Sequence, residues 1–201
     1  MAQVLARGLK HCYTVRMGSR TPQKLAAFAT ETGIPAGTFA ETAAWAEGVV
    51  LAVLGRGADG ALKLTGAHSL NGKLVMDTTN PIDDGPPVDG ALRFFTGPND
   101  SLMERLQEAC PDAKFVKAFN SVGSALMVNP SLPGGTPTMF YCGNDAEAKR
   151  PVARIIEQFG GWEGADMGGA AAARAIEPLS QLWCIPGFRE NPWTHAFRLR
   201  G

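Results

Sequence analysis

Apolar positions along this chain fall into short uninterrupted runs rich in β-branched residues. Between them lie stretches in which apolar residues recur at three- and four-residue spacing. That alternation predicts a parallel sheet covered by helices. The runs predict strands at 13–17, 49–53, 74–77, 115–117 and 139–142. The run Glu47-Gly48-Val49-Val50-Leu51-Ala52-Val53 shows no period-two alternation, which predicts a strand buried on both faces and central in its sheet.

Boundary residues mark the helices. Thr21-Pro22 opens one, with proline at the first helical position, Leu25, Phe28 and Ala29 on its apolar face, and Gly33 closing it. Asn144-Asp145 caps another over 146–159, in which Val152, Ile155, Ile156 and Phe159 form the inward stripe and Gly160-Gly161 end it. A third begins near Ala170, and Pro178 and Pro186 are expected to limit how far it runs straight. The breaker-rich stretches 79–99 and 121–137 still carry Phe94, Phe95, Leu126 and Met127, so ordered loops bordering a site are expected.

Composition narrows the function classes. The chain has 201 residues, enough for one substantial core, and 45% of them are hydrophobic. Lysine plus arginine (19) balances aspartate plus glutamate (19), so no net field draws the protein to nucleic acid or to a membrane surface, and its ligands need local sites. Glycine (24) and proline (14) make up about a fifth of the chain, which implies many tight turns. Cys12, Cys110, Cys142 and Cys184 show no metal-ligand spacing and read as reduced, small buried hydrophobes of a cytoplasmic protein. No secretion signal or membrane-length apolar run is seen. Without a nucleophile elbow, a phosphate loop or paired metal carboxylates, hydrolase and phosphotransferase readings lose their weight; Asp83-Asp84 reads as a solvated turn.

Several motifs together carry a resemblance. They are Leu5-Ala6-Arg7-Gly8-Leu9, Gly18-Ser19-Arg20 with Lys24, Leu51-Ala52-Val53, Asp77-Thr78-Thr79-Asn80-Pro81, Lys117-Ala118-Phe119-Asn120, Gly143-Asn144-Asp145, and Ala173-Arg174 with Glu177-Pro178-Leu179. In these the chain, over its whole length, resembles the NADPH-dependent coenzyme F420 reductases and related dinucleotide-binding enzymes. The resemblance implies a Rossmann-type doubly wound parallel sheet with helices on both faces and a small helical C-terminal extension. Residues 1–142 would form the dinucleotide-binding part, and 143–201 would complete the sheet and the acceptor site.

In that alignment the chain starts inside the first crossover helix. Ala2 stands at the last position of the glycine fingerprint, and the family's first strand and first two glycines have no counterpart. A late start, a shortened and impaired relative, and a chain completed by a partner are the competing explanations. Without that strand, two unpaired strand edges are expected in the middle of the domain, with a groove in its apolar layer.

The candidate site follows from the strand ends. A carboxylate after the second strand would favour NAD, whereas an arginine accommodates the 2′-phosphate of NADP. Here the tip reads Gly18-Ser19-Arg20 with Lys24 one turn on and no carboxylate, so NADP is favoured over a merely solvated polar turn. Ala52, Val53 and Leu54, then Asn80-Pro81, should border the pyrophosphate and the nicotinamide ribose, and the resemblance places Ala118 and Asn120 beside the nicotinamide. For Asn80-Pro81 a plain turn is the alternative; Asn120 either bonds the carboxamide or caps its own loop.

Hydride transfer needs alignment and a dry slot more than acid–base groups. Leu182, Trp183, Ile185, Phe188 and Trp193, with Leu126 and Met127, are candidates for the slot, and core packing is the alternative for each. No catalytic residue is assigned. His195 and Glu177 are the possible proton donors, although Glu177 is also expected to pair with Arg174. The leading reading is an NADP(H)-dependent oxidoreductase whose acceptor is coenzyme F420, another flavin-like cofactor or a small molecule. The competing reading is a non-catalytic binding module without the glycine turn. The tryptophan-bearing C-terminal segment also suggests a homodimer.

Overall fold

The computed structural model describes every residue except 67, 191 and 192. Four of the five expected strands form within a residue or two of their predicted bounds: β3 (Gly48–Leu51), β4 (Leu74–Asp77), β5 (Lys114–Lys117) and β6 (Thr138–Tyr141). The expected strand at 13–17 shrinks to β1 (Met17–Gly18). Two further strands, β2 (Ala36–Gly37) and β7 (Glu163–Asp166), carry too little apolar pattern to be predicted. All named strand pairs are parallel: β1 with β2, β3 with β4, β4 with β5, and β6 with β7. β6 joins β5 only through a bridge between Lys117 and Cys142.

Seven helices cover the strands among the described residues: α1 (Ala2–Leu9), α2 (Ala26–Thr32), α3 (Phe39–Trp45), α4 (Ala58–Thr65), α5 (Leu102–Ala109), α6 (Ala146–Gln158) and α7 (Ala173–Glu190). Period-two alternation divides the core into two layers. Met76 and Val116 pack with Leu5, Phe119, Val152, Ile156 and Phe159 toward α1 and α6. Val75 and Phe115 pack with Leu62, Met103, Leu106 and Ile176 toward α4, α5 and α7.

The boundary signals act as expected. Pro22 starts a turn of 3-10 helix that leads into α2, and Gly33 ends it at φ +70°. Asp145 caps α6 by accepting the Ala148 N–H at 2.8 Å, while Asn144 instead accepts the Ala170 N–H at 2.8 Å. The prolines of α7 do not end it: the helix runs 18 residues through both Pro178 and Pro186. Both long loops are folded. An Ile82–Phe94 bridge braces the first, and a 3-10 turn (Ser124–Leu126) lies in the second.

One expectation fails outright. The apolar run ending at Val53 is not central, because β3 pairs with β4 alone and forms an edge, with Gly48 exposed and Val49 and Val50 half-buried. Beside it lies a groove of about 910 Å³ that separates β3 from β1. Its walls are Leu5, Leu9 and Val15 with Val49, Leu51 and Met76, so it is the apolar gap expected between two unpaired edges. The same gap explains the short β1. Residues 13–16 line it without a ladder partner, and a strand exists only where a neighbour accepts its hydrogen bonds. A second correction concerns the cysteines: Cys142 is buried, but Cys12 is exposed in the turn after α1, and Cys110 and Cys184 are half-buried.

Candidate functional site

Because β3, β4 and β5 pair in parallel, the segments leaving them share one edge, and the groove places Gly18 of β1 with Ala52 and Val53, so the expected residues divide into three groups. Ala2, Gly18, Ala52 and Val53 line the mouth of the groove, with α1 beginning at its rim. Thr78, the residue after β4, holds this corner together: its hydroxyl donates to the Leu51 carbonyl at 3.1 Å and lies 3.4 Å from the Met1 sulfur. Leu54 projects into solvent.

The second group surrounds the tip of β1. Gly18 lies flat against α3, where an added Cβ would stand 3.1 Å from the Phe39 ring. Ser19 Oγ accepts the Thr21 N–H at 3.0 Å, which shapes the turn and leaves its O–H free to donate outward. Arg20 and Lys24 are exposed, and no ion pair among the described residues engages either one. Two exposed cations next to a turn without a carboxylate make this corner locally positive in a chain of zero net charge.

In the third group, Asn80 and Asn120 grip each other across the ends of β4 and β5. Asn80 Nδ2 donates to the Asn120 carbonyl at 2.7 Å, and Asn120 Nδ2 donates to Asn80 Oδ1 at 2.9 Å and to the Ile176 carbonyl at 3.0 Å. Asn120 Oδ1, although buried, has no donor, and neither has the hydroxyl of Thr79. A buried acceptor without a partner costs about 1–3 kcal/mol, so a ligand amide brought to Asn120 would recover that penalty. Pro81 and Ala118 are buried and shape these loops from behind.

Three features here escaped the sequence reading. Phe119 holds a left-handed φ of +57° while fully buried, its ring 5.4 Å from that of Phe159, and this turn aims Asn120 back toward Asn80. Gly55 packs so closely that a Cβ would stand 1.9 Å from the Asn80 carbonyl oxygen. Beneath the two asparagines lies a buried ion cluster. Lys117 Nζ is 2.6 Å from Asp77, 2.9 Å from Glu177 and 2.8 Å from the Thr79 carbonyl. Burial pulls the Lys117 ammonium toward its neutral form, but the two carboxylates more than offset this and its pKa stands above the usual lysine value.

Glu177 therefore does not pair with Arg174. It points inward, accepting the Leu102 and Met103 N–H groups at 2.9 and 3.0 Å at the start of α5, while Arg174 clasps Glu104 at 2.7–3.1 Å. His195 is likewise structural, stacked on Trp183 with Nε2 2.8 Å from the Trp183 carbonyl. The C-terminal apolar residues gather only in part. Trp183 packs on Trp193 and His195, and Phe188 meets the Trp193 ring edge-on at 5.1 Å, whereas Leu126 and Met127 are in the core and Leu182 is 54% exposed. Asp84 pairs with Arg56, and no cluster of metal-ligating side chains occurs among the described residues.

Comparison with known proteins bears on this arrangement. A family described as NADP oxidoreductase coenzyme F420-dependent matches residues 1–81. The F420-dependent NADP reductase of Methanocaldococcus jannaschii is 30% identical over 115 residues, which are 57% of this chain and 51% of that enzyme; the chain thus spans about half the length of that curated relative. A crystal structure from Arthrobacter sp. FB24, assigned to the F420-dependent NADP reductases, superposes with a TM-score of 0.92 at 32% identity, covering 99% of this chain and 94% of the other. A protein of unassigned function from Sinorhizobium meliloti follows with a TM-score of 0.69 and 26% identity, covering 85% and 82%.

Proposed function

This chain belongs to the F420-dependent NADP oxidoreductase family, and from that premise we propose that it binds NADP(H) along the shared edge of its strands and serves hydride transfer to a flavin-like acceptor. The observation that carries the reading is the pair of unengaged cations, Arg20 and Lys24, beside a turn that offers no carboxylate. Ser19 and Arg20 would hold the 2′-phosphate, the guanidinium through paired N–H donors, with Lys24 adding a point charge. The start of α1 at Ala2 faces the mouth of the groove, where the pyrophosphate would run past Ala52 and Val53.

The unpartnered Asn120 Oδ1 fits a carboxamide N–H, and Asn80 fixes the orientation of that acceptor. When bound, the nicotinamide supplies the hydride chemistry; what this chain contributes is placement. The Asn80–Asn120 pair would orient one face of the ring. No side chain here is assigned an acid–base role. The acceptor would be coenzyme F420 or another planar flavin-like ring lying against the loops that follow β4 and β5.

Titration with NADPH and NADH tests this reading. The expected result is NADPH binding in about the micromolar range, lost roughly ten- to a hundredfold in Arg20→Ala. NADH affinity should be little changed by that substitution. Equal affinity for the two nucleotides, or no saturation by NADPH up to about millimolar, overturns it.

A further inference from the structure

The ion cluster beneath the asparagine pair touches no surface, yet its bonds end on the residue before Asn80 and on the residue after Ile176, whose carbonyl binds Asn120. Asp77 and Lys117 are cross-strand partners at the last rung of β4 and β5. Asp77 Oδ1 accepts the Thr79 N–H at 2.8 Å, and Lys117 donates to the Thr79 carbonyl at 2.8 Å, so both backbone polar groups of Thr79 are held by side chains of the cluster. The residue that follows is Asn80. On the other flank Glu177 is fixed by Lys117 and by two backbone N–H groups of α5, and the residue before it, Ile176, supplies the carbonyl that binds Asn120 Nδ2.

The ammonium thus lies within 2.6–2.9 Å of oxygens from three different segments, β4, the loop after β4, and α7: it donates a hydrogen bond to the Thr79 carbonyl and pairs as an ion with Asp77 and Glu177. A plain stabilising role does not require this arrangement. Well-packed apolar side chains often replace a buried ion cluster without loss of stability, and here the cluster carries two carboxylates against one ammonium. What apolar residues cannot do is hold the Thr79 carbonyl and Glu177 from one point.

We propose that Lys117 is a positioning residue, which through Thr79 and Glu177 fixes the Asn80–Asn120 pair and ties α7 to the nicotinamide end of the site. The proposal rests on the reading of Asn80 and Asn120 as cofactor contacts. It predicts that the amide pair loosens when the ammonium is removed, even where the fold survives. Cys142, the residue after β6, also lies beside Lys117, and its thiol stays protonated because burial pushes its pKa up to about 12; Arg105 of α5 adds a positive charge near Glu177.

The test compares wild type with a charge-free variant, Lys117→Met, Asp77→Asn and Glu177→Gln together, and with Lys117→Met alone. Two readouts are used. NMR of the Asn80 and Asn120 side-chain amides reports the pair without any cofactor, and NADPH titration reports its consequence. The expected result is a charge-free variant with native circular dichroism, faster exchange and shifted resonances of the Asn120 amide, and NADPH affinity lower by about tenfold. In the single variant two buried carboxylates lack their counter-ion, so NADPH affinity should fall further than in the charge-free variant.

Unchanged Asn120 amide signals in the folded charge-free variant overturn the proposal. If that variant does not fold, Lys117→Met is read in its place, and native amide signals there overturn it equally. If wild type binds no NADPH while the amide pair still loosens, the cofactor reading fails and the positioning of the pair by Lys117 stands.

Discussion

Gly55 and Asn80 meet backbone to backbone: a Cβ on residue 55 would stand 1.9 Å from the Asn80 carbonyl oxygen and 2.8 Å from its carbon. The loop after β3 and the loop after β4 are thereby locked as one rigid unit, and both border the proposed cofactor path. Gly55→Ala cannot be accommodated without moving Asn80, because the obstructing atoms are main chain. Overpacking of this kind costs about 1–3 kcal/mol, which lowers the midpoint of thermal unfolding by several degrees in a chain of this size. NADPH affinity should fall in the same variant, read by fluorescence titration. A variant of native stability and native affinity would show that the loops are not coupled.

Arg20 and Lys24 contribute differently, and the difference is measurable. A guanidinium binds a phosphate through two parallel N–H groups, whereas an ammonium acts as a point charge. Arg20→Lys should therefore recover only part of the NADPH affinity lost in Arg20→Ala, while Lys24→Arg should be nearly neutral. Both cations are exposed, so the advantage of NADPH over NADH should shrink as salt is raised through the range where the Debye length falls below about 8 Å. An advantage insensitive to salt would argue against an ionic origin.

How far the sequence could be read depends on whether the deciding interaction is local. Asp145, Gly33 and Pro22 act on their own helix ends, so they were legible, as was the family to which their motifs belong. The exposed place of Arg20 beside the end of β1 was legible, because it depends only on a local turn. Lys117 was not: its partners Asp77 and Glu177 lie far away in the chain, and only β4–β5 pairing and the docking of α7 bring them together. Glu177 shows how local spacing misleads, since the three-residue interval to Arg174 suggested a surface pair while the side chain turns inward. The left-handed turn at Phe119 gave no signal either, because phenylalanine rarely adopts positive φ. Residues 13–16 fail for the same non-local reason. Their composition suits a strand, but a strand also needs a neighbour.

Phe119 combines a strained backbone with a buried ring. Phe119→Ala should cost about 3–5 kcal/mol through the cavity it leaves beside Phe159. Phe119→Gly leaves the same cavity but relieves the left-handed conformation, so it should be no less stable than the alanine variant despite glycine's larger conformational entropy in the unfolded chain. Denaturant unfolding of the pair separates the two contributions. An alanine variant clearly more stable than the glycine one would show that the turn carries no strain.

The cysteines should separate sharply in reactivity. Cys12 is exposed, whereas burial pushes the Cys142 thiol up to about 12. An aromatic disulfide reagent at neutral to mildly alkaline pH should label Cys12 first and Cys142 only on unfolding. The same shift has a consequence for stability. Since the folded-state pKa lies above the unfolded value of about 8.5, the contribution of Cys142 is fully present below that pH and is lost as the pH rises toward 12. Cys142→Ala should flatten this alkaline loss, measured as the unfolding midpoint against pH.

The groove between β1 and β3 sets the pattern of hydrogen exchange. β4 is hydrogen-bonded on both sides, to β3 and β5, and its Val75 and Met76 are fully buried; β3 is bonded on one side only, with Val49 and Val50 half-buried against the groove. Amides of β4 and β5 should therefore exchange only through global opening, while those of β3 on the groove side exchange through local fluctuation. The half-buried apolar walls should also bind a fluorescent hydrophobic probe in the native state, which closed domains of this size rarely do. Adding an extended β-branched peptide that pairs with the free edges should suppress both signals together, because one strand spaced about 4.8 Å from each neighbour would satisfy the edge amides and fill the apolar gap at once. Loss of the probe signal without protection of the groove-facing Val50 amide would mean that the peptide fills the groove without pairing as a strand.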